Sequence, residues 1–147
     1  MREIKFRAWD KDYEKMLLVT SIHFYNDETI VECFDEKDTD LSLTENTYRI
    51  ILMQYTGLTD MNGKEIYEGD IVFIKRYLYE DTKDGDLYLA KWEKFGFSFR
   101  RKIKIKDGQK QIAKPSALIN SLAIECHSEI IGNIYENPEL LEGLKNG

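Results

Sequence analysis

Asp60-Met61-Asn62-Gly63-Lys64-Glu65-Ile66-Tyr67-Glu68-Gly69-Asp70-Ile71-Val72-Phe73-Ile74 is the stretch that decides the fold class. It carries two turn signals with a few residues between them. Asn62-Gly63 tolerates the positive φ angles that a tight type I′ turn demands. Gly69 supplies a second bend, and Ile71 to Ile74 form a short apolar run of strand character. This is the punctuation of strands and turns, not of a helix.

Working back toward the N-terminus, residues 48–55 have enough apolar residues for a buried strand or a short helix, and the β-branched pair Ile50-Ile51 and the Thr56-Gly57 stop favour the strand. Residues 35–46 hold Asp35, Glu36, Asp38 and Asp40 and read as a solvated acidic loop. That loop is the natural boundary if the single domain 1–147 divides into lobes 1–46 and 47–147. Before it, residues 16–24 and 28–34 are rich in Val, Ile and Phe and flank an Asn26-Asp27 turn. Ile4, Phe6 and Ala8 alternate with Lys5, Arg7 and Trp9, the period of two of a strand with one buried face, and residues 10–14 are its turn. These strands compose a meander.

Toward the C-terminus, residues 80–86 are a charged loop, and residues 87–93 and 97–105 flank Lys94-Phe95-Gly96 as a hairpin. Lys114-Pro115-Ser116 opens one short helical turn, since proline suits the first helical position. Residues 122–125 and 129–135 return to strand. Asn137 and Pro138 are the cap and first residue of a short closing helix, with Leu140, Leu141 and Leu144 as its apolar side and Gly143 near its end.

Composition bounds the function. The chain has 147 residues, a net charge of −6 with 33% charged residues, and 12% aromatics, enough to bury a core and to argue against disorder. Its two cysteines, Cys33 and Cys126, are too few for a disulfide scaffold and suit a reducing cytoplasm. The first residues alternate charge with apolar side chains, unlike an export signal. The longest apolar runs, such as Ile50-Ile51-Leu52-Met53, are far shorter than the roughly 20 residues a spanning helix needs. A membrane role is not expected. The negative net charge repels polyanions unless the cations gather on one surface.

They do gather in one segment. Arg100, Arg101, Lys102, Lys104, Lys106, Lys110 and Lys114 are interrupted by one acid, Asp107, and stand beside Phe97 and Phe99. Lys102, Lys104 and Lys106 share a face of an extended strand, where they can track a phosphate backbone while a ring stacks on a base. The plainer reading is a sheet edge guarded by lysines against self-pairing. Asp60, Glu65, Glu68 and Asp70 place four carboxylates around two turns, which general acid–base chemistry could use, although turn geometry alone explains such residues. His23 and His127 are the two histidines. In an extended segment Cys126 and His127 point to opposite faces, so they do not make a nucleophile–base pair, and a buried Cys126 beside an exposed His127 is expected. No close-spaced ligand pair suggests a metal, and no phosphate loop is present.

Three ordered strings carry a resemblance: residues 1–10, MREIKFRAWD; residues 54–72, QYTGLTDMNGKEIYEGDIV; and residues 129–141, EIIGNIYENPELL. Together they resemble the YopX family from one end of the chain to the other. The resemblance implies a small protein of phages and prophages in Gram-positive hosts, a β-rich fold with a barrel-like part, and self-association; it brings no catalytic residues. The Gly69-Asp70-Ile71-Val72 entry also resembles the start of SH3-like barrels. The expected fold is mainly β, a β-dominated α+β arrangement of an N-terminal meander packed on a small SH3-like barrel with a short C-terminal helix. The expected function is that of a non-enzymatic accessory protein of the bacterial host cytoplasm, without cofactor or metal, that binds a protein partner or a second copy of itself. The alternative is a nucleic-acid-binding module using Arg100, Arg101, Lys102, Lys104 and Lys106. A third reading is an enzyme with a carboxylate site at residues 65–70.

Overall fold

The structure is a computed structural model that describes residues 1, 3–46, 48–76, 83–94, 96–113 and 121–142. Its chain forms two compact units, Met1–Tyr55 and Thr56–Gly147. The division falls inside a strand, β5, Ile50–Thr59.

The first unit is an antiparallel meander. Strands β1 (Phe6–Asp10), β2 (Lys15–Phe24), β3 (Thr29–Asp35) and β4 (Asp38–Asn46) pair in sequence order, and the first half of β5 joins the free side of β1. Ala8 sits opposite both Leu17 and Leu52, and Val31 opposite Ile22, so one face collects Ala8, Leu17, Val31, Cys33 and Ile50 as a dry cluster. The period-two reading holds from Phe6, with Ala8 buried, but Ile4 lies before β1 and is 70% exposed; the strands about the Asn26-Asp27 turn hold. The acidic stretch 35–46 does not stay a loop. Apart from the turn at Glu36 and Lys37 it continues as β4 along β3. Leu41-Ser42-Leu43-Thr44 alternates apolar with polar, a pattern that the run of charges before it obscures.

The second unit begins with the end of β5, which passes through Gly57 at φ +85° and pairs with the short strand β6 (Glu65–Tyr67). Five further strands follow: β7 (Asp70–Lys75), β8 (Gly85–Glu93), β9 (Gly96–Lys106), β10 (Gln109–Ile112) and β11 (Ser128–Asn133), in the antiparallel order β10-β9-β8-β7-β11. The run Ile71-Val72-Phe73-Ile74 is apolar throughout because both faces of its strand are covered. Val72, Tyr88, Ala90 and Phe99 pack on one side with Ile66 and Ile124, while Ile71, Leu87 and Ile103 pack on the other with Leu140 and Leu141. Each fully buried branched side chain stabilises the fold by about 1.5–3 kcal/mol.

Among the described residues the sheet is open, with β10 and β11 as its two ends, so the fold is mainly β and the closed barrel expected from the Gly-Asp-Ile-Val entry is not formed by them. The edge of β11 is finished in another way: Ser128 C=O accepts from Met61 N–H at 2.9 Å, and Ile130 N–H donates to the Asp60 carboxylate at 3.1 Å. Residues 122–125, expected as strand, lie in helix α1 (Ser121–His127). Its turn of helix buries Ile124 at 0% exposure in the cluster of Val72, Tyr88, Ala90 and Phe99, which a stretch of four residues does not reveal by periodicity. Downstream, a single 3-10 turn, Pro138–Leu140, takes the place of the expected closing α-helix. The helical turn read at 114–119, and Gly143 and Leu144, lie outside the described residues.

Candidate functional site

The four turn carboxylates each accept a hydrogen bond from a backbone or tyrosine group. Asp60 is 3% exposed; its Oδ1 accepts from Asn62 N–H at 2.9 Å and Lys64 N–H at 3.0 Å, and its Oδ2 from Ile130 N–H. Asp70 is 1% exposed and accepts from Tyr67 N–H at 2.8 Å. Glu65 accepts from the Tyr67 hydroxyl, and Glu68 from Trp92 N–H at 3.3 Å. A carboxylate that accepts backbone N–H groups completes hydrogen bonds the chain would otherwise leave open. The Asn62-Gly63 turn closes with Gly63 N–H on Asp60 C=O at 2.9 Å, and only Gly63 has positive φ, so it is not the type I′ turn expected.

The same device recurs at other strand ends. Asp10 Oδ1 accepts from Asp12 and Tyr13 N–H at 2.8 and 3.0 Å, Asp35 from Lys37 N–H at 2.9 Å, and Asn133 Oδ1 from Tyr135 and Glu136 N–H. The Lys37 amide, followed by Lys15, holds the Asp35 carboxyl below its ordinary range against the opposing effect of its surroundings. Asn137, expected as a helix cap, instead accepts from Asn133 N–H at 3.4 Å.

The basic segment is divided by its strand. The Arg100 guanidinium grips Glu93 with two bonds, Nε–Oε1 2.8 Å and Nη2–Oε2 2.7 Å, across the β8–β9 hairpin. This grip depresses the Glu93 carboxyl and raises Arg100. Arg101 lies beside Asp86 at 3.8 Å, and Arg76 donates to the same Asp86 oxygen at 3.2 Å. Lys102 is the extra residue of a β-bulge, for Leu87 sits opposite Ile103 and Tyr88 opposite Arg101. Lys104 pairs with Asp86 on one side and Gln111 on the other. Lys110 turns to the carbonyls of Glu139 and Leu140, each at 3.4 Å. Lys114 lies outside the described residues. Of the two phenylalanines, Phe99 is 5% exposed in the core, and Phe97 makes a T-shaped contact with Trp92, with centroids 4.8 Å apart.

One polar cluster went unread in the sequence. Ser21 and His23 alternate on β2 and so share a face, and Ser21 sits opposite Glu32 on β3. The Ser21 hydroxyl donates to Glu32 Oε2, and His23 Nε2 lies 3.0 Å from that hydroxyl and 3.7 Å from the carboxylate. The Ser21 bond, then His23, lowers the Glu32 carboxyl. Serine and acid share a single ring nitrogen here, whereas a nucleophilic triad needs the base between them with one partner on each nitrogen. Spacing by two on a strand was the signal available for it.

Cys126 and His127 are neighbours on helix α1, not on a strand, so the opposite-faces argument lapses. Cys126 is exposed and His127 half-buried, the reverse of the expectation, while Cys33 is buried. Among the described residues, no three His, Cys, Asp or Glu side chains gather as metal ligands, and no helix is long and apolar enough to cross a membrane.

What the first unit does offer is an aromatic end. The β1–β2 turn and the entry to β5 lie together, tied by Lys11 N–H to Arg49 C=O at 3.0 Å and by the Lys11 ammonium on the Tyr48 carbonyl. Arg49 pairs with Asp12 at 2.8 Å and stands 5.8 Å over the Tyr13 ring. Tyr13 is 62% exposed and Tyr48 80%. A turn tyrosine and an entry tyrosine 35 positions apart come to the same end of the unit only through the register of β1 with β5, which nothing local in the sequence declares.

Residues 5–142 match the model of the family described as YopX protein. Among solved structures, the chain is similar to the crystal structure of protein EF1440 from Enterococcus faecalis, with 26% identity and a TM-score of 0.55, over 97% of this chain and 100% of that one. Among curated proteins, none matches.

Proposed function

This chain belongs to the YopX family, and on that premise we propose that it is a non-enzymatic accessory protein of phage or prophage origin, acting in the bacterial cytoplasm by binding a protein partner. The observation that carries the reading is the tyrosine end of the first unit. Tyr13 and Tyr48 stand exposed beside Lys11 and Arg49 on backbone fixed by the Lys11–Arg49 hydrogen bond and the Arg49–Asp12 ion pair, so little backbone freedom is lost when a partner covers them. Tyrosine and arginine are the residues that concentrate binding energy at interfaces, since each offers apolar area with a polar end. The carboxylates that an enzyme reading would use accept bonds from backbone or tyrosine groups, which supports binding over catalysis.

The test is capture from phage-infected cells with tagged wild-type chain and with Tyr13→Ala/Tyr48→Ala, alongside light scattering of the purified protein. A partner retained by the wild type and lost by the variant supports the proposal, as does a dimer that the variant dissolves. Equal capture by both chains, with no change in mass, defeats it.

A further inference from the structure

The lysines of β9 are not edge guards. The strand lies between β8 and β10, so no open hydrogen-bonding side is there for them to protect. Register places Lys104 opposite Asp86 and Gln111, and Lys106 opposite Gln109, while Arg101 sits opposite Tyr88 with Lys102 bulged beside it. Arg76, from the end of β7, reaches the same Asp86. Along this face the apolar cover of Val72, Tyr88, Ala90 and Phe99 therefore gives way to cations flanked by two exposed glutamines.

We propose that this face, formed by Arg76, Arg101, Lys102, Lys104 and Lys106 with Gln109 and Gln111, binds the phosphate backbone of a nucleic-acid duplex without reading its sequence. Three acids lie in this region: Asp86, shared by two guanidiniums, and Asp84 and Asp107 at the hairpin end, where Asp84 accepts from Asp107 N–H at 2.8 Å. Five cations thus outnumber them. The whole-chain charge of −6 is no obstacle, because it is unevenly placed. Met1–Tyr55 holds seven basic and twelve acidic residues, net −5, and Thr56–Gly147 fourteen and fifteen, net −1. Alternate residues on one strand face stand about 7 Å apart, close to the roughly 7 Å rise over two phosphates of one duplex strand. Phe99, next to these cations on the strand, is 5% exposed and has no face to offer an unstacked base, which favours contact with a duplex backbone. The glutamine amides add neutral donors that phosphate oxygens accept.

The experiment is fluorescence anisotropy of a labelled DNA duplex of about 25 base pairs with the full chain, from about 50 to 200 mM salt. Neutralising three phosphates predicts about a 40-fold loss of affinity over that range. Lys102→Glu/Lys104→Glu/Lys106→Glu is expected to abolish binding, and the corresponding triple change to Gln to weaken it and flatten its salt dependence. Should the Glu variant fail to fold by circular dichroism, the Gln variant decides. Lys91→Glu/Lys94→Glu and Tyr13→Ala/Tyr48→Ala are expected to bind the duplex as the wild type does, which separates this proposal from the protein-binding one. No binding at the lowest salt, or undiminished binding by the folded Gln variant, overturns it.

Discussion

Asp60 shows how much one side chain organises. Its carboxylate completes three backbone N–H groups, two in its own turn and one on β11, at a position 3% exposed. Asp60→Ala leaves those donors without an acceptor, and we expect a loss of about 3 kcal/mol, read as a fall in urea midpoint with unchanged slope. Asp60→Asn, which keeps one acceptor oxygen, is expected to lose less. The Arg100–Glu93 grip makes a second prediction. Glu93 titrates below its ordinary value, chiefly through the Arg100 hydrogen bonds, so its contribution is present above the usual glutamate range and disappears as pH falls through the lowered value. Arg100→Gln should flatten the acid side of the stability–pH profile, measured by thermal melting between about pH 3 and 6. At this scale the sequence was half legible. Asp60, Asn62 and Gly63 declared a turn, but nothing local shows that Asp60 also reaches residue 130.

At the scale of elements, period and turn chemistry located most strands, because alternating Ile, Val and Phe between Gly, Asn and Asp signals leaves few other readings. The failures have physical causes. Local charge masked β4, whose pairing with β3 supplies what its acidic composition does not. Helix α1 is too short for a 3.6-residue pattern to emerge, and what defines it is Ile124 buried in the core, with Ser128 Oγ–H bonded to Ile124 C=O at 2.6 Å just beyond its end. The Pro138 segment ends after one turn, with Leu141 N–H on Pro138 C=O at 3.1 Å. β8 makes a sharper prediction. A Cβ on Gly85 would meet the Phe73 ring at 2.3 Å and the Ile74 carbonyl oxygen at 2.5 Å. Gly85→Ala should cost about 1–3 kcal/mol, and because one obstacle is backbone, adding Phe73→Leu should not restore the loss in a denaturant titration. Gly63→Ala differs: nothing lies within 4 Å, and its expected penalty comes from φ +79° alone.

For the whole molecule, the candidate surfaces were legible in unequal measure. The basic segment announced itself by composition, but composition could not show that β9 is an interior strand, that Arg100 is held by Glu93, or that Lys110 turns away. The tyrosine end was invisible, being assembled by strand pairing from residues 13 and 48. The acids of the turns, which drew an enzyme reading, accept from backbone N–H groups and, at Glu65, from the Tyr67 hydroxyl. Function in this account rests on surfaces presented by the strand framework, above all on Tyr13 and Tyr48. The most direct measurement is side-by-side quantitative mass spectrometry of proteins captured from infected cells by the wild type and by a Tyr13→Ala/Tyr48→Ala chain of matched melting temperature. A specific partner is expected to be recovered by the first and depleted at least about tenfold by the second, as loss of about 1.4 kcal/mol or more at a hot spot requires. Recovery of the same partner in equal amounts by both would contradict it.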